Sequence, residues 1–212
     1  MTDHAHPGER TVVPTPHGEA VAHVRTALDP TGLVVLGHGA GGGVDAPDLA
    51  VVARVAADLQ LTVALVEQPY RVAGRRLPPR GPALDEAWRA VVTSLRPRWP
   101  GGPLVVGGRS AGARTACRTA DGLGADGVLC LAFPVRPPGR PDAPDRLPEL
   151  DAVGAPVLVV QGEKDPFGLP PDRPGREVVV VPGDHSLRSG LAEVEHEVHR
   201  WLLDVTGPAS RG

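Results

Sequence analysis

Leu104-Val105-Val106-Gly107-Gly108-Arg109-Ser110-Ala111-Gly112-Ala113-Arg114-Thr115-Ala116-Cys117-Arg118-Thr119 joins a β-type apolar run to a helix through one sharp turn. Within it, Gly108-Arg109-Ser110-Ala111-Gly112 matches G-x-S-x-G, in the strand–turn–helix context that lifts a serine hydroxyl clear of a sheet edge. A serine at such a turn takes a strained backbone, and small neighbours let adjoining elements close around it. The helix N-terminus behind it favours a developing negative charge. Ser110 is therefore the expected nucleophile. Ser94 sits in a helical stretch, Ser186 and Ser189 at a helix start, and Ser210 in the tail.

On either side of this stretch, apolar runs alternate with helical ones. Leu33–Leu36, Thr62–Val66, Leu104–Val106, Gly127–Leu131, Val157–Val160 and Val178–Val181 are continuous and rich in β-branched residues, which predicts strands covered on both faces. Asp48–Leu59, Pro82–Leu95, Ala111–Thr119 and Ser189–Val205 carry apolar residues at helical spacing. The alternation predicts a doubly wound α/β sheet, mostly parallel, with helices on both faces. Thr11–Leu28 reads as a hairpin turning at His17-Gly18, an antiparallel N-terminal edge. One domain is expected over residues 11–206, with flexible ends at 1–10 and 207–212. The proline-rich segment Phe133–Leu150 has no period. It is read as either a functional cover or a poorly ordered loop.

A serine hydroxyl needs a base, and the base needs an orienting acid. Gln161-Gly162-Glu163-Lys164-Asp165-Pro166-Phe167 follows one strand and Gly183-Asp184-His185-Ser186-Leu187 follows the next, so both lie where open α/β sheets place their sites. His196 and His199 fall inside the last helix, leaving His185 as base. Asp165 is the expected acid. Glu163 and Asp184 are nearby alternatives, although Asp184 adjoins His185 and suits a turn or a helix cap better. His38-Gly39-Ala40-Gly41-Gly42-Gly43 follows the third strand, counting the hairpin. Acyl transfer needs two N–H groups on the oxyanion, one after the nucleophile and one from this loop. Ala111 and Ala40 are the expected donors, with Gly41 the alternative to Ala40. A phosphate-binding loop is excluded by the missing Lys-Ser or Lys-Thr. His38 is expected to organise the loop.

The formal net charge of -3 argues against nucleic acid or an anionic membrane as partner. No apolar run reaches the length of a membrane span, and the N-terminus lacks the apolar core of a secretion signal. Two cysteines, Cys117 and Cys130, give neither a disulfide framework nor a metal spacing. A cytoplasmic location and core packing are expected for them. Trp88 and Trp201 are expected in the core, and His4 and His6 in the N-terminal tail form no expected metal site. Arg71, Arg75 and Arg76 follow a strand, and Arg109 precedes the nucleophile. They are candidate binders of a substrate carboxylate or phosphate, or else pair with Glu67, Asp45 or Asp85.

His38-Gly39-Ala40-Gly41-Gly42, Pro69-Tyr70-Arg71, Gly108-Arg109-Ser110, Pro137-Pro138-Gly139, Gly162-Glu163-Lys164-Asp165-Pro166-Phe167-Gly168 and Gly183-Asp184-His185-Ser186-Leu187 occur in that order. In this the chain resembles a branch of the α/β-hydrolases that includes the testis-expressed protein, the third subunit of a nuclear chromatin-modifying complex, and small bacterial relatives. More distantly it is similar to the dienelactone hydrolases. The resemblance runs from Val34 to Trp201 and implies the α/β-hydrolase fold with little or no cap. Dienelactone hydrolases carry a cysteine where this chain has Ser110, which favours ordinary ester or thioester hydrolysis. The expectation is a serine hydrolase of small carboxylic esters or thioesters, needing no metal or organic cofactor. The alternative is a non-catalytic interaction module on the same scaffold, and an intact Ser, Asp and His set argues against it.

Overall fold

The computed structural model describes residues 8–207. Strands β1 (Glu9–Thr15) and β2 (Gly18–Arg25) form the expected hairpin. β3 (Gly32–Gly37), helix α1 (Pro47–Asp58), β4 (Leu61–Glu67), the short helix α2 (Pro69–Val72) and α3 (Gly81–Leu95) follow. A 3-10 turn at Arg96–Arg98 leads to β5 (Leu104–Arg109), α4 (Ala111–Leu123), β6 (Gly127–Leu131) and the short α5 (Leu147–Asp151). The chain ends with β7 (Val157–Gly162), β8 (Arg176–Val181) and α6 (Leu191–Thr206). The eight strands make one sheet in the order β1-β2-β4-β3-β5-β6-β7-β8, parallel from β4 to β8 and antiparallel at β2.

Strand alternation sorts the core into two layers. Leu33 and Val35 face a layer with Trp88 and Val91 of α3 and Ala116 and Cys117 of α4. Val34 and Leu36 face the opposite layer, with Leu49 and Val52 of α1 and Val198 and Trp201 of α6. Both layers are dry, and each large aliphatic side chain buried there contributes roughly 1.5–3 kcal/mol.

Three expectations need correction, and one left open is narrowed. β8 is not covered on both faces: it is the sheet edge, and Val180 is 49% exposed. β1 begins at Glu9, so residues 9 and 10 belong to the sheet and not to a flexible end. Residues 1–7 and 208–212, with His4 and His6, lie outside the described residues. α4 runs four residues further than expected, to the left-handed Gly124 that caps it. The proline-rich segment is fastened. Arg146 N–H donates to Val135 O, Arg136 N–H donates to Phe167 O, and Glu149 of α5 takes both Arg114 and Arg118 of α4.

The turn between β5 and α4 presses against β3 with no room for side chains. A Cβ on Gly108 or Gly112 would lie 2.3 Å from the Gly37 carbonyl oxygen. Gly122, in the same helix as Gly112, has open space around it. Gly112→Ala is expected to cost roughly 1–3 kcal/mol by overpacking. Gly122→Ala is expected to gain about 0.5–1 kcal/mol from helix propensity. Urea denaturation of the two variants checks this. Equal shifts for both would mean that the turn is not sterically closed.

Candidate active site

Ser110 stands between β5 and α4 with φ +50° and ψ -106°. Its N–H donates to Leu131 O at 2.9 Å, pinning the turn to the end of β6. His185 Nε2 lies 3.0 Å from Ser110 Oγ, and His185 Nδ1 lies 2.8 Å from Asp165 Oδ2. The Asp165 side chain is 1% exposed and the His185 side chain 21%, so the acid is sealed while the ring keeps an open edge. The alternatives to Asp165 are engaged elsewhere. Glu163 pairs with Lys164, and Asp184 accepts from the Ser186 amide and hydroxyl in a turn ahead of the last helix. Those two bonds also lower the exposed Asp184 carboxyl below the usual range.

Three supporting side chains escaped the sequence reading. Gln161, at the end of β7, is fully buried. Its Nε2 lies 2.8 Å from Asp165 Oδ2, 3.1 Å from Phe133 O and 2.9 Å from Gly168 O. One amide thus joins the acid to the root of the proline-rich segment. Asp165 Oδ1 also accepts from the Phe167 N–H, and the Phe167 ring lies 4.2 Å from the His185 ring, centroid to centroid. Asp48, at the start of α1, is 0% exposed and accepts from Arg109 Nε at 2.9 Å. Burial raises the Asp48 carboxyl, and the Arg109 charge opposes that rise.

Arg109 is therefore not free to bind substrate. A second nitrogen, Nη2, donates to the His185 carbonyl at 2.6 Å, so the guanidinium fastens the histidine loop to α1 and the turn. Arg71 and Arg75 differ. Arg71 Nη1 reaches only the Arg75 carbonyl, at 3.5 Å. The acids expected for the loop do not take these arginines. Glu67 lies beside His23 and Asp85 is held by Arg118. Among the described residues neither Arg71 nor Arg75 has an acidic partner.

The loop after β3 is held by its carbonyls. Gly39 O accepts from the Gly42 N–H and from the His38 ring, and Ala40 O accepts from the Tyr70 hydroxyl at 2.8 Å. In trans peptides this turns the Ala40 and Gly41 N–H groups away from those partners. Among the described residues the Ala40, Gly41 and Ala111 amides have no protein acceptor. A Cβ on Gly39 would lie 3.8 Å from Ser110 Cβ, so the loop borders the nucleophile. Clefts of about 640 Å³ and 630 Å³ open around Pro156 and Trp201 at the other end of the strands, and neither is lined by Ser110, Asp165 or His185.

His38 accepts from the Gln68 N–H through Nε2, so its proton is on Nδ1, donated to Gly39 O. Burial lowers its pKa from the ordinary 6.5, with the Gly39 contact opposing. As pH falls, the unfolded chain takes up this proton first. The stability contributed by neutral His38 is then full above 6.5 and is lost as pH drops below it. Wild-type Tm is expected to fall from about pH 7 to about pH 5 more steeply than that of His38→Asn, which has no proton to gain there. Parallel Tm curves would place the acid sensitivity elsewhere.

Comparison with known proteins gives the family and the fold. Residues 30–193 match the family model described as an alpha/beta hydrolase domain. No curated protein sequence matches the chain. Among solved structures, a lidless α/β serine hydrolase from Xanthomonas campestris superimposes with a TM-score of 0.76 at 18% identity, covering 95% of this chain and 96% of its own. An α/β serine hydrolase homologue from Coxiella burnetii gives 0.75 at 17% identity, with 94% and 100% covered. Est1E from Butyrivibrio proteoclasticus gives 0.74 at 13%, with 93% and 98% covered. These identities speak for the fold alone: an α/β-hydrolase fold with an antiparallel edge, matching a lidless neighbour. The family match spans most of the sequence, and the chain belongs to the alpha/beta hydrolase domain family.

Proposed function

We propose that the protein is a serine hydrolase of small carboxylic esters or thioesters, working through an acyl-enzyme. The observation that carries this is the unbroken chain Asp165–His185–Ser110, with contacts of 2.8 Å and 3.0 Å. Ser110 Oγ attacks the acyl carbon as its proton passes to His185 Nε2. His185 returns that proton to the leaving alkoxide or thiolate. Water, deprotonated by the same nitrogen, then releases the acid and restores Ser110. Asp165 holds the ring through Nδ1 and stabilises the imidazolium. The Ala111 amide, with Ala40 or Gly41, receives the oxyanion.

The chemistry as written calls for no metal or organic cofactor. The motifs quoted above favour the branch of the testis-expressed protein within the family. A small-molecule substrate is the proposed partner, with neither nucleic acid nor membrane. Among the described residues no helix is long and apolar enough to cross a membrane. Cys117 and Cys130 are buried with sulfurs 3.5 Å apart, and a cytoplasmic location is proposed from the small number of cysteines. A non-catalytic module gains nothing from a buried acid aligned on a histidine and a serine.

A panel of esters and thioesters of varied chain length identifies the preferred substrate. On that substrate Ser110→Ala is expected to lose several orders of magnitude in kcat with Tm unchanged, since triad members act as a unit. Near-normal turnover by the variant would overturn the assignment.

A further inference from the structure

A small cleft of about 160 Å³ opens between the α2 loop and the start of α3, lined among others by His17, Gln68, Tyr70, Arg75 and Leu84. It is too small for a whole substrate, since ligand sites usually exceed roughly 300 Å³, but it suits one end group. Its polar groups are underused. Arg75 has no acidic partner among the described residues. Gln68 is 6% exposed, its Oε1 has no partner, and its Nε2 reaches Leu84 O only at 3.5 Å. The orphan Oε1 is an acceptor that an anion does not satisfy, while Nε2, held only by that long contact, is the amide's donor among the groups lining the cleft. None of the residues lining the cleft is acidic, and the acid that meets one of them, Glu86, is engaged by His17 at 2.7 Å.

Sheet register fixes how far this cleft lies from the nucleophile. Gly37 pairs with Gly108 on one side and with Val66 on the other. Ser110 and Gln68 each stand two residues beyond those positions, at one level of the sheet. Two strand spacings separate them, or roughly 10 Å. The wall between is the oxyanion loop, whose Ala40 carbonyl is tied to Tyr70.

We infer that this cleft is a subsite for the carboxylate end of a substrate chain whose ester carbonyl sits at Ser110 roughly 10 Å away. Arg75 takes the carboxylate and Gln68 donates beside it. The inference rests on the hydrolase reading and narrows it to monoesters or monothioesters of medium-length dicarboxylic acids. Tyr70 couples the two sites, because a ligand seated in the cleft lies against the ring that holds the Ala40 peptide.

The test compares 4-nitrophenyl monoesters of glutaric, adipic and suberic acid with neutral 4-nitrophenyl octanoate, on wild type and Arg75→Gln. Suberate binding to both proteins is measured by calorimetry. Arg75 is exposed, so the substitution leaves folding intact. The expected result is a kcat/KM that rises from the glutaric to the suberic ester. Arg75→Gln should lower only the suberic value, by roughly ten- to a hundredfold, and weaken suberate binding by a similar factor. No dependence on length, or an equal loss on the neutral ester, would overturn the subsite while leaving the hydrolase standing. Arg75-dependent suberate binding with neither these esters nor the corresponding thioesters cleaved would uphold the subsite and overturn the hydrolase reading.

Discussion

The rest of the site depends on how closely the turn after β5 approaches the end of β3. Gly108 and Gly112 both back onto the Gly37 carbonyl at distances that exclude any Cβ. That closeness forces Ser110 into a left-handed backbone, a strain of about 1–3 kcal/mol for a residue other than glycine. The strain is sustained because the turn is over-determined. Ser110 N–H is bonded to Leu131 O, β5 is paired on both sides, and α4 packs Ala113, Ala116 and Cys117 into the core. The product is a hydroxyl held above the sheet edge at the positive end of a helix.

From this fixed point the other groups are hung by a few specific contacts. Arg109, inside the turn, holds the His185 backbone and is itself held by buried Asp48. A buried carboxylate is costly unless paired, and a buried guanidinium equally so. Each therefore keeps the other in place, and together they set the height of the histidine loop over Ser110. Gln161 does the same for the acid. Its amide meets Asp165, Phe133 and Gly168, so the carboxylate cannot swing without disturbing the base of the proline-rich segment. The loop after β3 is fixed on its far side by His38 and Tyr70. Four loops from distant parts of the chain thus reach one geometry through buried polar contacts, on a scaffold whose stability comes from two apolar layers.

Much of this is legible in the sequence. Apolar runs such as Leu33–Leu36 and Val157–Val160 are uninterrupted because both faces of those strands are covered, and helical spacing marks α1, α3 and α6. Ser110, Asp165 and His185 follow from one motif plus chain order, and the structure brings those three together. The failures have a common cause. Val178–Val181 reads like an interior strand, but coverage depends on whether a helix packs over the face of the outermost strand, which local composition does not encode. Arg109 reads as either a substrate binder or a paired cation, and its partner, Asp48, is 61 residues away and not among the acids expected for it. Gln161 reads as an ordinary strand end, since its role depends on three segments meeting in space. The short helices at Pro69–Val72 and Leu147–Asp151 hold too few residues to show a period.

The central claim is that the folded site activates Ser110 through His185. It is tested most directly by reaction with a fluorophosphonate, which captures a serine only where a base removes its proton. The rate of adduct formation is followed by intact mass, and the modified residue is located by peptide mapping, in wild type and in His185→Ala. The account predicts one adduct per chain, on Ser110, with labelling slowed by orders of magnitude in the folded variant. Equal rates in the two proteins, or an adduct on another serine, would contradict it.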